Sequence, residues 1–572
     1  MRAWLPLPAP LPRGWPLALL APIVSALVLV GGGPGTFPGD PRLPYAPVTL
    51  NLHWQLHTRG FAGLLADDLH GFPLRTDRIV TEGFPLDALT SWPFAALGEP
   101  TGMWLWIVAV MAAVGAAGAW LGMRWWGTLG AGLVAGLGFQ VSEALLREVA
   151  EGRPTQAFAA IFLPLALGLA MERRTFGAVL AGVCAGLGTI ASWNLAPILV
   201  CAGLGPLVLG WFSGGGAPPR NAPPGGEPPG PPVRAHPGNS AGAPMRSAPN
   251  NVARGASLLA FLAALIAVVA PVAAWTYAGR GELPSFDLDP WGEAVLGAVQ
   301  ARPVDLAAAR IYGATGVALK TVWRPILVLA AVATARRMPP RAWAGPVLFA
   351  AVCAILGLGA VLPGPAVMPW GWLQSLPGLS RLWWADRAWI GVGLAAALLA
   401  AGAPGGWKPV LAVALVFEAF SGGALPFKHV NYGPTPTSDV LALRPDVPFV
   451  LLPTGEGPLR ADRTDLLDQV FHGRPMANGT RAVDDLRSSD AVRRGWSGNA
   501  GLRALLACEM GGGAADADRT MASDALIRAG LREVYVDPSY VFDDPAYGAC
   551  VEGVLAGWER GEEPPLWRYR AR

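Results

Sequence analysis

The chain has 572 residues, of which 52% are hydrophobic and 15% charged, against about 25% charge in ordinary soluble domains. A net charge of +3 gives no footing for nucleic-acid binding, and the five cysteines form no metal-spaced set. The apolar residues instead gather in blocks approaching the ~20 residues that carry a helix across a bilayer.

Those blocks run at 16–33, 103–122, 127–146, 155–171, 176–193, 194–212, 257–275, 321–335, 343–362, 388–403 and 409–423. They predict an α-helical polytopic membrane protein with about eleven transmembrane helices. The first block follows Arg2 and Arg13 without an A-x-A-like cleavage site, which reads as a retained signal anchor. With the N-terminus in the cytoplasm and spans alternating, the inside segments hold Arg2, Arg13, Arg124, Arg173, Arg174, Arg220, Arg234, Arg246, Arg254, Arg336, Arg337, Arg341 and Lys408 against only Glu172 and Glu227. That bias is the positive-inside pattern and sets the orientation in the cytoplasmic membrane.

Residues 34–102 then form a long first outside loop whose apolar content favours short amphipathic helices on the membrane face. It carries Asp40, Asp67, Asp68, Asp77, Glu82 and Asp87. A carboxylate at a membrane mouth suits a general base, because partial desolvation raises its pKa toward the working range. His53 and His57 stand at i, i+4 spacing and share a helix face. Without an evident third ligand they read as polar interface residues rather than a zinc pair.

The stretch "LREVAEGRPTQAF" (146–158) is a compact polar connection between two apolar blocks, and the topology puts it outside. It offers Arg147, Glu148, Glu151, Arg153 and Gln156. Arginine forks match phosphate oxygens bidentately, so this group suits a lipid-linked phosphate; a loop with internal Arg–Glu pairs is an equal alternative. Residues 213–256, with 11 prolines and 9 glycines, read as a disordered cytoplasmic linker. Residues 276–320 form a second outside loop. "LSRLWWADRAW" (379–389) brings Arg381, Asp386 and Arg387 beside three interfacial tryptophans.

Beyond 423 charge rises and the long apolar blocks end. "VPFVLLP" (447–453) and "REVYVDP" (532–538) read as buried strands. "DALIRAG" (524–530) reads as a helix stopped by Gly530, and "LWRYR" (566–570) as a closing edge strand. The expected division is a transmembrane region at 1–423 and an extracytoplasmic α/β domain at 424–572. Cys508 and Cys550 lie in the latter, where an oxidising compartment permits a disulfide. His472 and Arg474, in the turn-rich "HGRPMANGT", read as structural.

Several phrases resemble the GT-C glycosyltransferase superfamily. They are "GDPRLPYAPVTLNLHWQL" and "FPLRTDRIVTEGFPLDALTSWPFAALGEP" of the first loop, "GLGFQVSEALLREVAEGRPTQAFAAIFLPLALGLAMERR", "LPGPAVMPWGWLQSLPGLSRLWWADRAWIGVGLAAALLAAGA", "LLDQVFHGRPMANGT" and "LIRAGLREVYVDP". The resemblance implies a polyprenyl-phosphate-linked sugar donor and transfer to a glycan or protein acceptor outside the membrane. It implies Asp40 as the first-loop catalytic acid and Glu148 or Glu151 as a second-loop acid. Arg153, Arg381 and Arg387 would be donor-phosphate candidates, with Gln156 and His53 as further substrate-binding candidates. A divalent cation, Mg or Mn, is an admissible helper at the phosphate. The competing reading is a non-catalytic relative that binds or moves a lipid-linked glycan or serves envelope assembly.

Overall fold

The computed structural model describes residues 8–39, 45–60, 66–67, 76–77, 86–98, 100–172, 174–212, 251–278, 324–357, 385–421, 425–444, 446–453, 468–469, 471–477, 498–511, 513 and 516–572. Among the described residues, the part before the C-terminal region is mainly helical. The helices are α1 (Trp15–Val30), α2 (Tyr45–Arg59), α3 (Leu86–Ala95), α4 (Thr101–Trp126), α5 (Leu129–Gln140), α6 (Glu143–Ala150), α7 (Pro154–Ala160), α8 (Phe162–Ala170), α9 (Thr175–Ala191), α10 (Ala196–Phe212), α11 (Asn251–Ala278), α12 (Pro325–Arg337), α13 (Pro340–Gly357), α14 (Trp389–Ala400) and α15 (Lys408–Ser421).

A helix lies in every one of the eleven apolar blocks. Among the described residues, two helices are long and apolar enough to cross a membrane, Thr101–Trp126 and Gly255–Trp275 within α11. The pair α5 and α6 passes the same test together but is bent by 44°. The other apolar helices are shorter, such as Trp15–Val30, Thr175–Ala191 and Trp389–Ala400. Helix α11 starts at Asn251, so the last six residues assigned to the linker belong to a helix instead. In the first loop the expected helices α2 and α3 are present, together with a small antiparallel ladder between β2 (Ala66–Asp67) and β3 (Thr76–Asp77).

Glycine sets the close approaches in this bundle. On α4, a Cβ at Gly122 would stand 2.4 Å from the Ala135 Cβ of α5; at Gly136 of α5 it would stand 2.6 Å from the Gly115 carbonyl oxygen. Gly182 and Gly186 of α9 admit α11 in the same way, the first 2.4 Å from the Phe261 carbonyl oxygen. Small residues four apart let helix backbones touch where lipid supplies no hydrophobic drive. Outward faces carry Leu20, Val24 and Val28 on α1, Leu259 and Ile266 on α11, and Val413 and Phe417 on α15, all exposed. Apolar exposure on this scale is what a lipid-facing surface requires.

After α15 the chain returns to the first loop. Strand β4 (His429–Asn431) pairs antiparallel with β1 (Thr36–Pro38), and the Gly39 N–H donates to the Lys428 carbonyl at 2.9 Å. A four-stranded sheet follows, in the order β5 (Phe449–Leu452), β6 (Glu533–Val536), β8 (Leu566–Arg570), β7 (Glu559–Glu563). β5 and β6 run parallel and the other neighbours antiparallel. The helix at Asp516–Arg528 ends at Gly530 (φ 83°) and feeds straight into β6, as its sequence predicts. β8 is not the edge strand expected: the polar segment Glu559–Glu563 lies outside it, with Arg560 stacked 3.8 Å from the Trp567 ring. Cys508 and Cys550 are joined in a disulfide, with Cα atoms 5.6 Å apart.

Arg474 is fully buried beneath this sheet. It donates to the Val447 and Leu441 carbonyls, to the Tyr535 hydroxyl and to Glu533 at 2.9 Å. Its role is structural, in line with its turn-rich context.

Candidate functional site

The site is built around the end of α6. Glu151 caps the helix, and Gly152 follows in the left-handed conformation (φ 86°). The Gly152 N–H donates to the Val149 carbonyl at 3.0 Å and the Arg153 N–H to the Glu148 carbonyl at 2.8 Å. Those two bonds are the Schellman arrangement that glycine makes available. Pro154 then opens α7, where its missing N–H costs nothing. The turn therefore folds Arg153 back over the helix it has just left.

The side chains close a five-membered charged knot. Arg147 Nε donates to Glu151 Oε1 at 2.8 Å, and Glu151 also pairs with Arg153. Arg153 Nε lies 2.9 Å from Glu148 Oε2. From the far side Arg387, on the short turn Ala385–Ala388 before α14, brings its Nε to 3.4 Å from Glu148 Oε1. Side-chain exposure falls along this series, from 40% at Arg147 to 2% at Arg387. Among the described residues, three guanidinium groups face two carboxylates here.

The chain entering Asp40 reaches the same place. Gly39 is buried, and a Cβ on it would stand 2.7 Å from the Ala46 Cβ and 3.4 Å from the Gly152 Cα. A Cβ on Gly152 would meet Ala46 N and Cβ, each at 2.7 Å. Thr49 Oγ1 donates to the Gly152 carbonyl at 3.2 Å. Three segments thus meet at one contact: the strand before Asp40, the start of α2, and the turn of the arginine–glutamate knot. Asp40 and Arg381 themselves lie outside the described residues.

Gln156 and His53 sit in a second polar layer. Ser192 Oγ donates to Gln156 Oε1 at 2.6 Å. Ser91 Oγ lies 2.7 Å from the Ala88 carbonyl oxygen. The same oxygen also contacts His53 Nδ1 at 2.7 Å and His57 Nε2 at 2.9 Å, with the direction of each bond set by the ring's tautomer. His53 Nε2 stands 3.6 Å from Asp87 Oδ2, which accepts from Thr155 Oγ1 at 2.5 Å. Burial opposes ionisation of Asp87, but the His53 ring and the Thr155 hydroxyl outweigh it and hold its carboxyl below the ordinary 3.8. This chain of contacts ties the first loop to Thr155, two residues past Arg153.

Sequence reasoning placed Asp87 among the first-loop acids but missed Ser91, Thr155 and Ser192, because each acts on a partner 34 or more residues away. Gly152 carried a local signal, a glycine between a helix and a proline. A divalent cation does not fit the knot, since three guanidinium groups already face its two carboxylates. The expectation named no ligand set, and the side chains of the first-loop acids Asp40, Asp67, Asp68, Asp77 and Glu82 lie outside the described residues.

No family model and no curated protein matches the chain. Among solved structures, the arabinofuranosyltransferase AftD from Mycobacteria matches over 99% of this chain, with a TM-score of 0.53 and 15% identity. A mutant form of that enzyme matches with a TM-score of 0.55 and 16% identity. The fold is GT-C-like. The chain spans 40% and 42% of the length of those two AftD chains. The oligosaccharyltransferase AglB from Archaeoglobus fulgidus, solved with an inhibitory peptide and a dolichol-phosphate, aligns over 98% of this chain and 74% of its own, with a TM-score of 0.45 and 10% identity.

Proposed function

We propose that this chain is a membrane glycosyltransferase that moves a sugar from a polyprenyl-phosphate donor to a glycan or protein acceptor outside the cytoplasmic membrane. The observation that carries this reading is the meeting of the Arg147–Glu151–Arg153–Glu148–Arg387 knot with Gly39, the residue before Asp40. Asp40 takes the proton from the acceptor hydroxyl, whose oxygen attacks the anomeric carbon. The bond from that carbon to the phosphate oxygen breaks with inversion, and Arg153 and Arg387, with Arg381, offset the charge on the departing phosphate. Glu148 and Glu151 hold the arginines in place, and Gln156 and His53 support the turn behind them. The orientation follows the distribution of arginines, with eleven spans, the N-terminus inside and the C-terminal α/β unit outside. The Cys508–Cys550 disulfide supports an oxidising compartment for that unit.

One observation favours binding without catalysis: both described carboxylates of the knot, Glu148 and Glu151, are engaged by arginines and so are poorly placed to take a proton. Asp40→Asn separates the readings. Lost glycan product with donor binding intact is the expected result for an enzyme, and unchanged product overturns it. Arg153→Gln is expected to weaken donor binding itself.

A further inference from the structure

Helix α6 is held at both ends by arginines that belong to the late helices. Near its end, Arg387 meets Glu148 from the turn before α14. At its start, Glu143 Oε2 accepts from Arg324 Nη2 at 2.5 Å, and Arg324 is the residue that precedes α12. Both are buried, Arg324 1% and Glu143 6% exposed. Arg324 Nη1 also donates to the Glu418 carbonyl, while the Glu418 carboxylate accepts from the Ile326 N–H at 2.7 Å. One guanidinium thus ties the start of α6 to the start of α12 and the end of α15. Helix α14 closes the same place from the side: a Cβ on Gly393 would stand 2.7 Å from the Ser142 Cβ.

Resting on the donor site proposed above, we propose that Arg324 is a positioning residue for the donor phosphate. It touches no substrate. Through Glu143 it fixes the direction of α6, and with it the place of Arg153 relative to Arg387. Helices α5 and α6 together are long and apolar enough for one span, yet they are bent by 44° where Ser142 is extended (φ −60°, ψ 134°). No proline or glycine stands at Val141-Ser142 to hold that bend. The Arg324–Glu143 pair stands at the residue where α6 begins. Stability is a weak reason for such a pair, because desolvation of two buried charges offsets most of their attraction. What a buried arginine fork supplies is direction, since its planar N–H groups accept a narrow range of lengths and angles.

The lever is long enough for the pair to matter. The Arg153 N–H donates to the Glu148 carbonyl, so Arg153 moves with α6, whereas Arg387 stays with α14. Glu148 lies about 7.5 Å along α6 from Glu143, at 1.5 Å per residue. Relaxing a quarter of the 44° bend would swing that point by about 1.4 Å. Sound N–H···O distances span only about 0.5 Å. The separation of Arg153 from Arg387 is what a bound phosphate has to match, and the bend sets it. Loss of the Arg324–Glu143 pair therefore weakens phosphate binding while the helices themselves persist.

The full chain in detergent is titrated with methyl farnesyl phosphate, a monoanionic phosphodiester, by calorimetry, and its unfolding is followed separately by tryptophan fluorescence. Glu143→Met together with Arg324→Met removes both members of the pair and is expected to keep stability near that of wild type. Binding in this double variant is expected to weaken about tenfold, the worth of one charge-assisted contact. Adding Arg153→Gln should then cost less than it costs wild type, because the changes act on one arrangement. A folded double variant that binds as wild type does, or an Arg153→Gln loss that simply adds to its own, overturns the positioning role; with a wild type that binds and an Arg153→Gln that binds less, the donor site still stands. Where the double variant does not fold, Arg324→Lys decides. It keeps the charge but has no planar fork to span Glu143 and the Glu418 carbonyl. Weaker binding with the same non-additivity supports the role of Arg324, and unchanged binding overturns it. A folded wild type with no binding overturns both that role and the donor site.

Discussion

The contact between Gly39, Ala46 and Gly152 is the joint on which the proposed site depends, and the three positions respond differently to a methyl group. In Gly39→Ala the new Cβ would stand 2.7 Å from the Ala46 Cβ, while its next neighbours, Gly152 Cα and Val430 Cγ2, lie at 3.4 and 3.6 Å. Overpacking of this kind costs about 1–3 kcal/mol. In Gly152→Ala the methyl meets backbone as well, with Ala46 N at 2.7 Å and Cα at 2.9 Å, and the residue sits at φ 86°. The left-handed conformation adds about 1–2 kcal/mol for a residue with a Cβ, for a total of about 2–5 kcal/mol. Ala46→Gly removes one of the clashing atoms and alone costs about 0.5–1 kcal/mol as a glycine in a helix. Placed under Gly39→Ala it should remove the clash, leaving the double variant below wild type only by the about 0.5–1 kcal/mol of the helix glycine. Under Gly152→Ala it should restore only the share due to the Ala46 Cβ. Unfolding in detergent followed by tryptophan fluorescence measures each variant, with methyl farnesyl phosphate binding as the second readout. Equal rescue of both glycine variants, or a Gly39→Ala protein as stable as wild type, would refute this account of the joint.

Two further outcomes concern the C-terminal unit. The Cys508–Cys550 bridge spans a sequence separation of 42, and loop-closure entropy alone assigns such a bridge about 4 kcal/mol. Cys550→Ser should therefore lower the stability of the unit by that order, and wild type unfolded under dithiothreitol should converge on the variant. Glu533 is buried against Arg474 and Tyr535; burial opposes its ionisation, but the Arg474 guanidinium and the Tyr535 hydroxyl hold its carboxyl below the ordinary 4.5. The stabilisation is complete above 4.5 and is lost as pH falls through the lower folded-state value. Acid titration of unfolding should show wild type losing that increment while Glu533→Gln, weaker at neutral pH, changes less; matching curves would remove Glu533 as the cause.

What the sequence makes legible, and what it hides, follows from the distance over which each feature is decided. The apolar blocks are local, because a lipid-facing helix face needs only its own residues to be apolar, so helices lie where hydropathy puts them. The turn at Gly152 is equally local: glycine before Arg153-Pro154 ends one helix and begins another, and that alone brings Glu148, Glu151 and Arg153 together. The 44° bend between α5 and α6 is not local. No proline or glycine marks Val141-Ser142. The bend occurs where Ser142 turns extended and where Glu143 accepts from Arg324 Nη2, 181 residues away, at 2.5 Å. β8 likewise reads as an edge strand until β7 pairs outside it, because a polar, exposed strand such as Glu559–Glu563 has no apolar alternation to announce it. Arg387 is the decisive case. Its residue type suggests phosphate chemistry, but its bearing on Glu148 depends on a fold that closes 239 positions of chain. That closure changes the surroundings: Glu148 with Arg153 alone is an ordinary pair at a helix end, whereas Glu148 between Arg153 and a buried Arg387 is one carboxylate held by guanidinium groups from two distant parts of the chain.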